Sequence, residues 1–168
     1  IKGVASVQQE DGSFSATLQG NEHDMRFVYC AACICYMLDD WTGVDIDLMV
    51  KYIRASIRYD YGISQDVEME SHGGTTFCAL AALQLSNRLN ILSTKEIERV
   101  KRWLVFRQED GFNGRPNKRV DTCYSFWITS ALKILNSLEL TDYKQNRDYI
   151  MSCQNDVIGG FSKWPGVN

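Results

Sequence analysis

The sequence predicts an all-α fold in which paired helices form a ring, or toroid, with an inner and an outer layer. The first observation is an internal repeat, marked by Gly12, Gly62, Gly111 and Gly160 at spacings of 50, 49 and 49 residues. A fixed period of about 50 residues indicates an array or a closed ring of similar units. The second observation is that apolar residues recur at a helical period and not at the period of two that marks a strand. We therefore treat residues 1–168 as one toroidal domain.

The first helical segment of each unit is apolar on nearly every side. These segments cover 27–38, 76–85 and 124–135. A helix without a polar face is expected to be buried all round, so these three form the predicted inner layer. Four cysteines in apolar surroundings are interpreted as core residues. They are Cys30, Cys33, Cys35 and Cys153.

The second helical segment of each unit is amphipathic. These segments cover 45–58, 94–106 and 141–153, the last with the weakest pattern. A helix with one apolar face packs that face on a core and leaves the other in solvent, which predicts an outer layer. Ser93 and Glu96 form a capping-box pattern that marks the start of the second of these helices.

Length, composition and charge exclude several classes of protein for this chain. With 168 residues, 45% of them hydrophobic, and 2 prolines, the chain is typical of a globular domain. A net charge of −3 argues against general nucleic-acid binding. The longest apolar run, 27–38, has 12 residues and is too short to span a membrane. The 6 cysteines lie mostly within helical patterns, which favours reduced thiols in a cytoplasmic protein over a disulfide framework.

The segment 111–127 carries the most distinctive chemistry. Arg115 and Lys118 lie on a glycine-containing loop before a helix N-terminus, a combination that suits a phosphate. Asp121 and Cys123 offer a carboxylate and a thiolate to a soft divalent metal, of which zinc is the first choice. The alternative interpretation is an aspartate that caps the helix, a buried cysteine and solvated loop charges.

The repeat register predicts where this chemistry lies. Aligning Tyr29, Phe77 and Phe126 places Asp24, His72 and Asp121 at equivalent positions, each at the N-terminus of an inner helix. Parallel inner helices would bring these N-termini to one rim of the ring, where their partial positive charges suit an anionic ligand. The apolar wall below that rim suits a greasy ligand. His72 has a second interpretation, as a histidine that only caps its helix.

Three motifs, in order along the chain, carry a resemblance to a known family. They are DMRFVYCA at 24–31, ESHGGTTFC at 70–78 and GRPNKRVDTCYSFW at 114–127. Together they resemble the β subunits of protein prenyltransferases, most nearly those of protein geranylgeranyltransferase type I. The resemblance implies an α-α barrel of about six helix pairs, of which a chain with this repeat would supply roughly half. It also implies that the sequence is a C-terminal-half fragment of such a subunit.

The resemblance implies an enzyme that transfers a geranylgeranyl group from geranylgeranyl diphosphate to the cysteine thiolate of CaaX proteins, such as small GTPases. Members of the family act as a heterodimer with an α subunit. By position, Asp121 and Cys123 match two zinc ligands, and the third, a histidine, is expected beyond residue 168. Lys163 stands where farnesyl-transferring relatives carry a magnesium-binding aspartate, so magnesium is not expected to be required.

The substrate-binding assignments follow from the same resemblance. The residues that match those holding the diphosphate and its developing charge are His72, Arg115, Lys118 and Tyr124. Arg26 matches an arginine near the carboxylate of the peptide substrate. The residues that match inner-helix positions near the isoprenoid are Tyr29, Cys78 and Trp127.

Other functions stay open at this point. The β subunits of farnesyltransferase and Rab geranylgeranyltransferase are alternatives within the same family. A terpene-cyclase-like toroid would act on a lipid alone and would carry an acidic protonating motif at the rim, where the sequence offers none. A non-catalytic toroid that binds proteins gives no reason for the run of cations, acid and thiol at 115–124.

Overall fold

The computed structural model describes residues 1–166, which form helices joined by turns. The α-helices are α1 (Lys2–Ala5), α2 (Met25–Met37), α3 (Ile46–Ala55), α4 (Gly73–Leu85), α5 (Thr94–Val105), α6 (Thr122–Ile134) and α7 (Tyr143–Ser152), with single 3₁₀ turns at Leu89–Ile91 and Leu138–Leu140. Over residues 1–166, extended pairing is limited to isolated bridges such as that between Gln8 and Phe14. The prediction of an all-α fold is confirmed.

The inner helices begin two or three residues earlier than the apolar pattern predicts. Each begins directly after a residue whose side chain accepts a hydrogen bond from the backbone N–H two residues on, namely Asp24, His72 and Asp121. Such a cap satisfies one of the free N–H groups of the first helical turn. The first turns of α4 and α6 consist largely of small and polar residues, which weakens their hydrophobic signal. In α2 the polar Arg26 separates the buried Met25 from the apolar run.

The inner helices α2, α4 and α6 lie side by side, with α4 between the other two. The aromatic rings at repeat-equivalent positions touch: the ring centroids of Tyr29 and Phe77 are 5.2 Å apart, and those of Phe77 and Phe126 are 5.5 Å apart. Contacts also join the N-terminal ends: His72, before α4, contacts Tyr124 in the first turn of α6, and Gln65, which precedes α4, contacts Asp24 at the start of α2. Two levels of contact of this kind mean that neighbouring inner helices run parallel and in register. The three helix N-termini therefore lie at the same end of the layer, as the register predicts.

Burial all round holds for only one of the inner helices. In α4, 10 of 13 residues are buried, because α2 and α6 cover it on both sides. In α2, by contrast, Tyr36 and Met37 are 60% and 73% exposed, and Phe126 of α6 is 56% exposed. Each of these two helices has an inner neighbour on one side only within residues 1–166, which leaves its other side open.

The same geometry corrects part of the cysteine assignment. Cys35 and Cys153 are buried, as predicted. Cys30 is exposed and Cys33 is only half-buried, so the prediction that they are core residues is wrong. Both lie on α2, which α4 covers on one side only. The 6 cysteines are all free thiols.

The outer helices pack an apolar face on the inner layer. In α5 the buried residues are Val100, Trp103 and Leu104, and the predicted capping box between Ser93 and Glu96 is present. Two of the marker glycines lie directly beneath aromatic rings of outer helices. A Cβ at Gly62 would come within 2.6 Å of the Trp103 ring, and one at Gly111 would collide with the Tyr149 ring of α7.

None of the helices over residues 1–166 combines the length and apolarity needed to cross a membrane.

Candidate functional site

The rim where the inner helices begin holds three capping side chains. The carboxylate of Asp24 accepts from the Arg26 N–H at 2.8 Å, and that of Asp121 accepts from the Cys123 N–H at 3.0 Å. His72 performs the same task for α4 with its ring nitrogen Nδ1, which accepts from the Gly74 N–H at 3.0 Å. These residues therefore do cap their helices, and any role in binding comes in addition.

A polar cavity of about 230 Å³ opens between the loop before α6 and the turn that follows α7. We call it the rim pocket, and it is lined by Gly114, Arg115, Lys118, Arg119, Asp121, Tyr124, Lys163 and Trp164. Four of these side chains are cations and one is a carboxylate. A concave site with such an excess of positive charge at a helix N-terminus is suited to an anionic group.

Two of the rim-pocket cations have carboxylate partners. Arg115 pairs with Glu70 at 3.0 Å, and Lys163 pairs with Asp121 at 3.4 Å. The Arg115–Glu70 pair is exposed to solvent, and exposed ion pairs contribute little free energy because water competes for both charges. A strongly charged ligand could therefore displace Glu70 from Arg115 at small cost.

Arg26 stands apart from the rim pocket, on α2. Its guanidinium contacts Asp24 at 2.6 Å and Glu22 at 2.5 Å. The hydrogen bonds that Arg26 donates to the Asp24 carboxylate raise the pKa of Arg26, which stays charged. Arg26 is a predicted site residue that does not line the rim pocket.

His72 and Tyr124 form a hydrogen-bonded pair behind the rim pocket. The distance between His72 Nε2 and the Tyr124 hydroxyl oxygen is 3.0 Å, and the two rings meet edge to face. Burial and the nearby Arg115 charge lower the pKa of His72, which favours the neutral ring. The Tyr124 ring lies against the backbone of Gly114, where a Cβ would collide with it.

Asp121 and Cys123 bring a carboxylate and a thiol together at the start of α6. Cys123 is an exposed residue. Desolvation by the neighbouring groups, followed by a hydrogen bond with the Asp121 carboxylate, raises the pKa of its thiol to about 12. Lys163 opposes that shift. The donor types and their proximity fit one edge of a zinc site, although no group of three or more His, Cys, Asp or Glu side chains over residues 1–166 is arranged to hold a metal.

An apolar wall continues from the rim along the inner helices. The Trp127 ring lies 5.4 Å from that of Phe77 and 4.9 Å from that of Phe126. Tyr29 packs on the other side of Phe77. Cys78 is buried in α4, and burial raises the pKa of its thiol to about 12, so it behaves as a small apolar group. The wall thus joins the residues predicted to lie near an isoprenoid.

Sequence reasoning missed four residues that shape the rim. Glu22 and Glu70 neutralise Arg26 and Arg115, and Arg119 and Trp164 line the rim pocket. For three of these residues the sequence does contain a pattern that could have identified them. Glu22, Glu70 and Arg119 each stand two residues before the cap of an inner helix, so the repeat register places them at equivalent positions on the rim.

Comparison with known proteins shows that the sequence is similar to those of one protein family. A family model described as the prenyltransferase alpha-alpha toroid domain matches residues 1–168. The chain is 44% identical over 173 residues to the geranylgeranyl transferase type-1 subunit beta of Arabidopsis thaliana, covering 97% of this chain and 46% of that protein. It is 38% identical over 167 residues to the geranylgeranyl transferase type-2 subunit beta of Saccharomyces cerevisiae, covering 98% of this chain and 51% of that protein.

A solved structure gives the same result. It is described as Candida albicans protein geranylgeranyltransferase-I complexed with GGPP, and it is similar with a TM-score of 0.84 at 30% sequence identity over 98% of this chain and 54% of that chain. This chain therefore spans about half the length of the curated relatives it matches. Because the family model covers the whole chain and the helices are arranged alike, the chain belongs to the prenyltransferase alpha-alpha toroid family.

Proposed function

We propose that this chain is part of the catalytic β subunit of a protein geranylgeranyltransferase of type I. The subunit would transfer a geranylgeranyl group from geranylgeranyl diphosphate to the cysteine of a CaaX protein such as a small GTPase, in a heterodimer with an α subunit. One observation carries the proposal: a cationic pocket, an acid–thiol pair and an aromatic wall adjoin at one rim of the inner layer. The 6 free cysteines suit a cytoplasmic setting.

The cations of the rim pocket would hold the diphosphate. Arg115, Lys118 and Lys163 surround the same space, which Tyr124 also lines. In the transfer, the substrate sulfur forms a bond to C1 of the lipid while the C–O bond to the diphosphate breaks, so negative charge grows on the leaving oxygen. Fixed cations and a hydroxyl donor aimed at that charge stabilise the transition state more than the ground state.

The aromatic wall would hold the lipid chain. Tyr29, Cys78 and Trp127 line the inner layer away from the cations, where a hydrocarbon loses contact with water. Arg26 lies on the same rim but on α2, and we assign it to the carboxylate end of the peptide. Its charge is balanced by Glu22 and Asp24, so a peptide carboxylate would compete with Glu22 for the outer face of the guanidinium.

Asp121 and Cys123 would hold a zinc ion, with a histidine beyond residue 168 as the third protein ligand. Zinc bound there would lower the pKa of the substrate thiol, so that the thiolate is available at neutral pH. Asp121 also caps α6 through its Oδ1 atom, which orients the carboxylate. Lys163 would supply the positive charge that magnesium provides elsewhere, so we propose that magnesium is not required.

The proposal is tested by a transfer assay on the complete β subunit, co-expressed with its α partner. Geranylgeranyl diphosphate and farnesyl diphosphate are each offered with a CaaX peptide. We expect zinc-dependent transfer of the longer lipid. Preference for the farnesyl donor would favour a farnesyltransferase, and transfer only to Rab proteins would favour the type II enzyme. Conversion of the lipid without a peptide would favour a cyclase, and the absence of lipid binding would favour a protein-binding module.

A further inference from the structure

Arg107 is a buried cation, 9% exposed, just after the C-terminal cap of α5. Its Nε atom donates to the Trp103 backbone oxygen and its Nη1 atom donates to Asn113 Oδ1, each at 3.3 Å. Burial lowers the pKa of Arg107, and the charges of Asp60 and Glu109 oppose that shift. A cation in this place costs free energy, because it exchanges water for neutral hydrogen-bond partners.

The internal repeat shows that this arginine is particular to the third unit. In every unit, a backbone N–H of the glycine turn donates to the carbonyl oxygen of a residue at the end of the preceding helix. The donor and acceptor residues are Ser15 and Val7, Ser64 and Ser56, Asn113 and Arg107, and Ser162 and Cys153. Three units thus pair a serine with an uncharged residue. The third unit differs in both members of the contact, where an amide meets a guanidinium.

Asn113 uses both ends of its side-chain amide. Its Oδ1 atom accepts from Arg107, and its Nδ2 atom donates to the Glu109 carboxylate at 2.8 Å. A guanidinium can only donate and an ionised carboxylate can only accept, so these two partners fix the orientation of the amide. Asn113 is 3% exposed, and its backbone N–H is bonded to the Arg107 oxygen at 2.9 Å. Side chain and backbone therefore hold Asn113 together.

The two residues after Asn113 belong to the wall of the rim pocket. The Gly114 oxygen accepts from the Gly73 N–H at 2.8 Å, and Arg115 reaches Glu70. Arg107 does not line the pocket. It begins a series of contacts that passes through Asn113 to the backbone from which the Arg115 side chain extends.

We propose that Arg107 is a positioning residue that acts through Asn113, holding the backbone at Gly114 and Arg115 so that the Arg115 guanidinium is aimed at an anion in the rim pocket. Arg107 itself does not touch the anion. A cation that is fixed before its ligand arrives binds more tightly, because less conformational freedom is lost on binding. This inference rests on the proposed function and deepens it, because it extends the diphosphate site to a buried residue outside the pocket.

The test measures the Kd of geranylgeranyl diphosphate and of inorganic diphosphate for the complete αβ heterodimer. Arg107→Met keeps the length of the side chain and removes its hydrogen bonds, and Asn113→Ser supplies the residue of the other three units. We expect each variant to weaken binding of both ligands roughly fivefold, the range of one hydrogen bond. Arg107→Lys should show a similar loss, because an ammonium keeps the charge and lacks the planar fork. Arg102→Met, an equal charge change at an exposed position of α5, is the control and should bind as the wild type does.

Two comparisons separate positioning from a structural role. In an Arg115→Ala background, Arg107→Met should cause no further loss of diphosphate affinity, since the cation that it positions is absent. The KM for the CaaX peptide should stay unchanged in Arg107→Met, because we assign the peptide carboxylate to Arg26 on α2. A general loosening of the fold would instead raise the KM for the peptide together with the Kd of the lipid.

Several outcomes would overturn the inference. Wild-type diphosphate affinity in Arg107→Met and Asn113→Ser would do so, as would an undiminished loss in the Arg115→Ala background. Wild-type affinity in Arg107→Lys would mean that the charge acts without the hydrogen bonds. If circular dichroism shows that Arg107→Met does not fold, Arg107→Lys and Asn113→Ser decide the question. A wild-type heterodimer that neither binds nor transfers the lipid would reject the proposed function, and this inference with it.

Discussion

At the residue scale, the ion pair between Arg115 and Glu70 keeps a cation of the rim pocket balanced by a carboxylate that a ligand can replace. Glu70 is about half-exposed, and its contact of 3.0 Å with Arg115 joins residues 45 positions apart. Glu70 also stands two residues before the cap of α4, on the same rim as His72. In this position the Glu70 carboxylate forms an ion pair with the Arg115 guanidinium. A more highly charged anion that binds Arg115 would have to replace Glu70 as its partner.

Replacing Glu70 with Gln should therefore strengthen binding of the lipid diphosphate. The substitution removes the competing negative charge, and an exposed pair of this kind is worth about two- to fivefold in affinity. The measurement is the Kd of geranylgeranyl diphosphate for the complete heterodimer at two salt concentrations. Glu68→Gln is the matched control. It removes the same charge two residues away, and Glu68 has no ion pair within the described range 1–166. Weaker binding by Glu70→Gln would mean that Glu70 positions Arg115 and does not compete for it.

Cys123 allows a second residue-scale prediction, about metal content. Cys123→Ala in the complete β subunit should lower the bound zinc and abolish transfer, because it removes one protein ligand. Zinc is measured by mass spectrometry of the purified heterodimer. Cys30→Ala is the control, since Cys30 is an exposed thiol on α2, which α4 separates from Asp121 and Cys123, and its loss should leave the zinc content unchanged. Full zinc occupancy in Cys123→Ala would refute the assignment.

At the element scale, two of the repeats place a turn beneath an aromatic ring of an outer helix. Gly111 lies under the Tyr149 ring of α7, and Gly62 lies under the Trp103 ring of α5. Neither glycine has the positive φ that would itself require glycine. What these positions require is the absence of a side chain, because an aromatic ring occupies the space.

Gly111→Ala should consequently destabilise the protein by steric overlap alone. Overpacking of this kind costs roughly 1–3 kcal/mol, because Tyr149 must leave its place against the turn. Thermal unfolding of the complete heterodimer followed by circular dichroism measures the effect. Gly3→Ala, in α1 with open space around it, is the control and should be neutral or slightly stabilising. An unchanged midpoint for Gly111→Ala would mean that the turn shifts freely beneath α7.

The limits of sequence reasoning at this scale are visible at the helix ends. The apolar period located the inner helices but began them at 27, 76 and 124, whereas the structure begins them at Met25, Gly73 and Thr122. The first turns of α4 and α6 carry glycine and threonine, and Arg26 separates Met25 from the apolar run of α2, so the hydrophobic pattern starts too late in all three helices. The first turns form because the caps complete them.

At the scale of the whole molecule, the turn after α7 is folded back onto the start of α6. The backbone oxygen of Lys163 accepts from the Thr122 N–H at 3.3 Å, and the Trp164 indole donates to the Val120 oxygen at 2.9 Å. These contacts bring the Lys163 ammonium into the rim pocket, 3.4 Å from Asp121. Lys163 therefore shares the pocket with Arg115 and Lys118, and its ion-pair partner is Asp121.

Lys163→Asp should make transfer by the complete heterodimer responsive to magnesium. The wild type should turn over without it, since a fixed ammonium already neutralises the leaving diphosphate. Rates are measured with and without added magnesium at constant zinc. Lys144→Asp, an equal charge change on the exposed side of α7, should show no such response. A wild-type enzyme that stops when magnesium alone is removed would overturn the role of Lys163.

The sequence by itself determined the all-α class, the two kinds of helix, and the rim on which Asp24, His72 and Asp121 meet. These features follow from the local periodicity of apolar residues and from the register of the repeats, and both can be read directly from the order of residues in the sequence. Only the tertiary structure decided that Glu70 forms an ion pair with Arg115 and that His72 forms a hydrogen bond with Tyr124. It also decided that Cys30 is exposed. The two contacts join residues 45 and 52 positions apart, and the exposure depends on which side of α2 has a neighbour. No local pattern encodes either, because both arise when separate helices pack together.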